Sequence, residues 1–233
     1  SGKSVLMRTI ALSLMLTHNP QVLRLLCIDP KGRTFASLAG MPHLLRPPVV
    51  DVCEAIEALR SLGRAMEARD RRGEKPARDH QAGKNATPYI VLMVDEMADL
   101  ILQGAKPIEE VLTRLVQRGR EAGIHLVVAT QRPSSAVLSG LMRANFPLRL
   151  VGKVVSASDA RVATGRGGTG AHLLNGRGDF LAVGSGDTAI RFQVAYVTEK
   201  ELCEQVDMLC RNPYSVHGQR LAASLPVLAN SGR

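Results

Sequence analysis

The chain has 233 residues, 45% of them hydrophobic but only 3% aromatic and none Trp, so a single α/β domain, with or without a tail, must be packed by aliphatic side chains, Ala and Met. The formal net charge of +9 suits a polyanionic partner such as DNA, RNA or an anionic membrane surface. No apolar stretch reaches bilayer-spanning length, and neither an initiator Met nor a secretory signal pattern is present, so the chain reads as an excised piece of a parent whose anchoring is left open.

Residues 5–17 have helical periodicity with Leu and Met on several faces, which predicts a largely buried helix. Residues 22–28 form a short apolar run closed by Asp29-Pro30, read as a buried strand. A helix is expected over 52–72, basic near its end, followed by an exposed polar loop over 73–87. Residues 89–94 (YIVLMV) carry the strongest buried-strand signal and end in Asp95-Glu96. A helix over 107–122 has Pro107 in its first turn and Gly123 at its end. Further expectations are a strand over 124–130, a helix over 137–144, a strand over 148–155, and a short helix over 156–164 capped by Ser156. A flexible glycine-rich segment follows over 165–170. Strands over 179–183 and 189–195 pair around Gly184-Ser185-Gly186-Asp187, and a last helix covers 199–210.

Strands with continuous apolar runs, separated by helices, predict an α/β fold: a mainly parallel sheet flanked by helices, with a C-terminal β-hairpin. The domain division expected is 1–210 for the folded unit and 211–233 for an irregular or disordered tail. Cys27 lies in an apolar run, where a buried free thiol is expected; Cys203 and Cys210 have no usual zinc spacing, and all four cysteines read as free thiols.

Ser1-Gly2-Lys3-Ser4 matches the end of a G-x-x-x-x-G-K-[ST] phosphate loop, the Walker A motif, as though the chain begins inside it with the preceding strand missing. Ser1, Gly2, Lys3 and Ser4 would bind ATP. Gly2 lets backbone N–H groups face phosphate, Lys3 brings an ammonium to the β and γ phosphates, and Ser4 offers a hydroxyl to Mg²⁺. A Gly/Ser linker before a capped helix would look the same. The apolar strand ending in Asp95-Glu96 supplies what the tetrapeptide lacks, because a Walker B element needs such a strand with acidic residues at the sheet edge. Asp95 would hold Mg²⁺ and Glu96 would polarise the attacking water. The next strand runs into Thr130-Gln131-Arg132-Pro133, where the Gln131 amide could sense the γ phosphate; an ordinary strand-to-loop turn is the alternative. Arg69, Arg71, Arg72, Lys75 and Arg78 form a basic cluster, read as a solvated helix end and loop.

Asp29-Pro30-Lys31, Met41-Pro42-His43-Leu44-Leu45, Val94-Asp95-Glu96-Met97-Ala98-Asp99-Leu100 and the run from Gly123-Ile124-His125 to Arg132-Pro133-Ser134 resemble the FtsK/SpoIIIE family, as do Gly140-Leu141 with Asn145, and Gly178-Asp179. The resemblance covers residues 1 to about 200. It implies a RecA-like motor domain working as a hexameric ring around double-stranded DNA, cytoplasmic even where the parent is anchored in the inner membrane, in chromosome segregation at cell division or in conjugative transfer. It also implies ATP bound between subunits and a trans-acting arginine, for which Arg120 is the matching position, with Arg114 and Arg118 left open. Arg132, Arg143 and Arg161 match the family's channel-facing DNA contacts, which grip phosphate and carry no sequence information. Ala157 stands where a basic residue is common, and Gly165-Arg166-Gly167-Gly168 departs from the pattern in its first half. With its phosphate loop cut, the piece itself is expected to bind ATP poorly. A secretion ATPase moving protein and a non-hydrolysing nucleic-acid-binding module are the competing readings. DNA-stimulated ATP hydrolysis separates them.

Overall fold

The structure, a computed structural model, describes residues 2–74, 76, 87–131, 144–184, 186 and 188–211, without the side chains of 104–106. Three parallel strands, β1 (Leu23–Ile28), β2 (Tyr89–Val94) and β3 (Ile124–Val128), lie in that order. Leu23 pairs with Tyr89 and Ile90 with Ile124, so all three strands end level at Ile28, Val94 and Val128. Residues 43–49 run along the outer edge of β1, with Leu25 N–H donating to His43 and Val49 N–H to Cys27.

Successive residues of β2 point to opposite faces, and both faces are covered, which is why the strand reads as an unbroken apolar run. Ile90, Leu92 and Val94 pack with Leu59, Leu62 and Met66 of α2 (Val52–Arg72) and Leu100, Ile108 and Leu112 of α3 (Met97–Arg118). Val91 and Met93 pack with Met7, Ala11 and Met15 of α1 (Lys3–Thr17) and Leu202 and Val206 of α5 (Glu199–Arg211). Cys27 is buried on this second face, where burial, with Asp29 nearby, pushes its thiol up to about 12. The predicted free buried thiol is what the fold contains.

A second, antiparallel sheet joins β4 (Arg149–Gly152), β5 (Asp179–Val183) and β6 (Ala189–Gln193), with α4 (Ala157–Thr164) packed on it through Ala160. Local signals behave as their chemistry dictates. Asp51 caps α2 by accepting the Glu54 N–H, and Ser156 caps α4 by accepting from Asp159.

Several expectations need correction. The third helix begins at Met97 rather than Pro107, and Pro107 lies inside it. An interior Pro costs a helix roughly 3 kcal/mol, but burial of Leu100, Ile101, Ile108, Val111 and Leu112 against α2 and the sheet outweighs it. The expected strands over 124–130 and 148–155 stop at Val128 and span only Arg149–Gly152, and the last helix includes Arg211. Arg69 is not solvated: it is 7% exposed and donates to the Ala122 carbonyl at 2.8 Å, with burial holding its guanidinium below its ordinary value. Arg114 and Arg118 face α2, pairing with Glu67 at 3.5 Å and Asp70 at 2.9 Å.

The helix expected at 137–144 lies outside the described residues apart from Ala144, as do most of the 73–87 loop, Ser185 and Asp187 of the hairpin turn, and the tail from 212. Among the described residues no helix is long and apolar enough to cross a membrane.

Candidate active site

Because β1, β2 and β3 end level, whatever follows each strand meets at one edge of the sheet, the edge where open parallel sheets place their ligands. Asp29 to Thr34 follows β1, Asp95-Glu96 follows β2 and Ala129 to Gln131 follows β3. The N-terminus of α1 opens onto the same edge. Its backbone N–H groups and dipole favour an anion there.

Lys3 joins the helix to the strand. Its ammonium lies 3.1 Å from Asp95 Oδ1 and 3.1 Å from Glu96 Oε2. Gly2, just before it, holds φ 87°, a left-handed turn that suits glycine. Ser4 follows in the first turn of α1. Both carboxylates are buried, 5% exposed for Asp95 and 3% for Glu96, so each needs partners. Thr34 donates its hydroxyl to Asp95 Oδ2. Glu96 adopts φ 57°, left-handed for a residue with a Cβ, at the turn from β2 into α3. Its Oε1 accepts from Thr130 Oγ1 at 2.9 Å and the Gln131 N–H at 3.1 Å. Lys31 pairs with Asp99 at 3.0 Å, which holds its ammonium above the ordinary value, and stands 4.0 Å from Glu96 Oε2.

Among the described residues at this edge, Asp95 Oδ1 stands out as a buried carboxylate oxygen without a hydrogen-bond donor. It is buried and accepts no hydrogen bond; Lys3 is near enough for charge attraction but not aligned to donate. A hard divalent cation prefers such an oxygen, together with a hydroxyl and phosphate oxygens. The chemistry of Asp95, with a hydroxyl such as that of Ser4, therefore fits Mg²⁺.

The expected constellation is thus largely brought together: Gly2, Lys3, Ser4, Asp95, Glu96 and Gln131 share one edge. Gln131 does so through its backbone N–H, while its side chain is exposed. Ser1, Arg132 and Arg143 lie outside the described residues. Arg161 is exposed on α4, in the antiparallel part of the fold. Arg120 sits in the turn after α3, not in the helix, and is exposed. That turn precedes β3, so Arg120 belongs to the opposite edge of the sheet from Glu96. Four residue steps, from Ile90 to Val94, separate the two edges, about 13 Å at 3.3 Å per residue. Lys31 and Thr130 fall inside motifs read from the sequence but without a role there, and Thr34 falls outside them. The available signal was position: each is polar and leaves a strand neighbouring β2 at the same edge.

The chain matches the FtsK/SpoIIIE family over residues 1–86 and 76–135. It belongs to that family. A relative in the family, "DNA translocase FtsK" of Staphylococcus aureus (strain Mu50 / ATCC 700699), is 35% identical over 243 aligned residues, which cover 97% of this chain and 31% of the relative. This member therefore spans about a third of the length of such relatives. Among solved structures, the cytoplasmic domain of the type VII secretion ATPase EccC from Thermomonospora curvata gives a TM-score of 0.75 at 25% identity, covering 90% of this chain and 26% of that one. The pCW3 conjugation coupling protein TcpA, in its monomer form with ATPγS, gives 0.71 at 21% identity, covering 89% and 62%. The fold of this FtsK/SpoIIIE member is that of a RecA-like P-loop ATPase.

Proposed function

We propose that this chain is the ATP-hydrolysing motor domain of a double-stranded DNA translocase. The observation that carries the reading is the meeting of Lys3, Asp95 and Glu96 at the open edge of a parallel sheet, in a family whose relatives at 35–38% identity are named DNA translocases.

In this reading the phosphates of ATP lie at the N-terminus of α1 and draw Lys3 toward them. Asp95 and Ser4 would hold Mg²⁺, which when bound would supply positive charge beside the phosphates. Glu96, once relieved of Lys3, orients the attacking water and accepts its proton. The Gln131 side chain reports the γ phosphate. Arg120, on the far edge from its own site, serves the site of a neighbouring subunit, which is what a ring of identical copies, a hexamer, requires. The internal pairing of Arg114 and Arg118 with Glu67 and Asp70 favours Arg120 over either of them. Arg161, with Arg132 and Arg143, contacts DNA phosphates and is indifferent to sequence. Residues 1–210 make up the motor and 211–233 a tail. The cellular setting is chromosome segregation at division or transfer of a conjugative element, with the motor on the cytoplasmic side.

The test is ATP turnover by the full-length protein with and without duplex DNA, beside the Glu96→Gln variant. Turnover that rises with duplex DNA and disappears in the variant is expected. Turnover unmoved by DNA would favour a protein-moving ATPase, the activity class of the EccC neighbour, and no turnover at all would favour a non-hydrolysing module.

A further inference from the structure

Beyond β6 the chain turns back along α1, starting from the end that faces the phosphates. The Val194 N–H donates to the Gly178 carbonyl at 2.8 Å, and Gly178 lies against Gly2. One residue on, the Ala195 carbonyl accepts from the Thr9 hydroxyl at 3.2 Å, and further along Glu199 pairs with Arg8. Thr9 follows Lys3 by six residues on α1, about 9 Å along the axis at 1.5 Å per residue. Residues 194–199 are therefore laid beside the opening of α1 and tied to it at both ends.

Most of this segment has structural work to do. Val194 is buried, and Val197 packs into the core on the α1 side of the parallel sheet. The Thr198 hydroxyl caps α5 by accepting from the Glu201 N–H at 3.2 Å. Tyr196 has no such task. It is 73% exposed, and among the described residues its hydroxyl has no hydrogen-bond partner and its ring no aromatic neighbour. A nucleotide whose phosphates sit at the N-terminus of α1 carries its base one ribose further on. The step from Lys3 to Thr9 is of that order, so the base falls beside the segment that holds Tyr196. A tyrosine suits that place, because its ring offers a flat apolar face while its hydroxyl stays in water.

We propose that Tyr196 is the surface on which the base of the bound nucleotide stacks. This deepens the motor reading and rests on one part of it, the binding of a nucleoside triphosphate at α1. Stacking on a ring face adds affinity and is tolerant of which base is present. Tyr196 touches none of the reacting atoms, so it acts on binding and leaves the rate of the bound nucleotide alone.

The experiment compares the full-length protein with Tyr196→Ala and Tyr196→Phe. It reads kcat and KM for ATP, the inhibition constant of inorganic tripolyphosphate, which has the phosphates but no base, and Tm as a check on folding. In Tyr196→Ala, KM for ATP is expected to rise by at least about 5-fold, the loss of one aromatic stack, with kcat and the tripolyphosphate constant unmoved. Tyr196→Phe, which keeps the ring, is expected to restore the wild-type KM. The inference is overturned if Tyr196→Ala keeps the wild-type KM, if KM and the tripolyphosphate constant rise together as a displaced α1 would give, or if Tyr196→Phe is as damaging as Tyr196→Ala. A wild type that turns over no ATP would sink the motor reading itself, and this inference with it.

Discussion

A Cβ built on Gly2 would lie 2.9 Å from the backbone nitrogen of Gly178. Gly2 is pressed against the residue that leads into β5, so the antiparallel sheet lies against the N-terminus of α1. Both glycines are left-handed, at φ 87° and φ 91°, but their surroundings differ. A side chain on Gly2 meets backbone, whereas one on Gly178 meets the Gln193 amide at 2.7 Å, the end of a flexible side chain that can move aside. Gly2→Ala is therefore expected to weaken ATP binding at least ~10-fold, since the left-handed strain alone is about 1–2 kcal/mol. Gly178→Ala should lose less. Titration of a fluorescent ATP analogue checks the order, and equal losses would contradict it.

Thr34→Val should damage the site without touching any residue of the two Walker motifs. It removes the hydroxyl donor from Asp95 Oδ2 in a buried setting. An unsatisfied buried acceptor costs about 1–3 kcal/mol, more when charged. The expected result is a lower Tm together with a higher Mg²⁺ requirement for turnover. Thr34→Ser should recover most of both.

Arg120→Ala should leave Tm and ATP affinity unchanged, because the side chain is exposed and remote from its own site. Hydrolysis should nevertheless fall by about 10³-fold or more if the residue acts in trans. Mixing Arg120→Ala with Glu96→Gln subunits should restore part of the rate, since one interface then combines an intact Glu96 with an intact Arg120. No recovery on mixing would speak against the trans role.

Arg69→Met tests the anchor of the same turn. It removes the donor to the Ala122 carbonyl while keeping an apolar stem, and a lost buried hydrogen bond costs about 1–3 kcal/mol. Tm should drop by about 2–4 °C per kcal/mol. Turnover in the assembled protein should fall as well, because Arg120 shares the loosened turn.

Asp179, next to Gly178, gives a pH signature of its own. The Arg191 guanidinium donates to it twice, at 2.9 and 2.7 Å, and with the Asn175 N–H holds its pKa at about 2, below the ordinary 3.8. A carboxyl with a depressed folded-state pKa adds stability that is complete above its unfolded value and is lost as pH falls through the folded one. The gap in urea midpoint between wild type and Asp179→Asn should be full at neutral pH and close between about pH 4 and pH 2. A gap independent of pH would mean the pair does not stabilise β5 and β6 through charge.

Much of this was legible in the sequence. Residues 89–94 read as a buried strand because both faces of the parallel sheet are covered, and a strand covered on both faces must be apolar throughout. Asp95-Glu96 at its end, the Ser156 cap and the hairpin of β5 and β6 are likewise local chemistry. So was the family, carried by short runs that keep their order along the chain. The start of α3 was not legible. Pro107 is the strongest local helix-start signal, but helix length was decided by burial against α2 and by the turn at Glu96, which no window of sequence contains. The family resemblance pointed to Arg120 but left Arg114 and Arg118 open, three like residues within seven positions. Only packing on α2 shows that the first two are paired and the third is turned to the opposite edge of the sheet. Thr34 and Thr130 lie 61 and 34 residues from the carboxylates they hold. The chain determined which groups could do chemistry, because motif spacing is local. The tertiary structure decided which donors restrain them, because strands that end level bring distant residues to one edge.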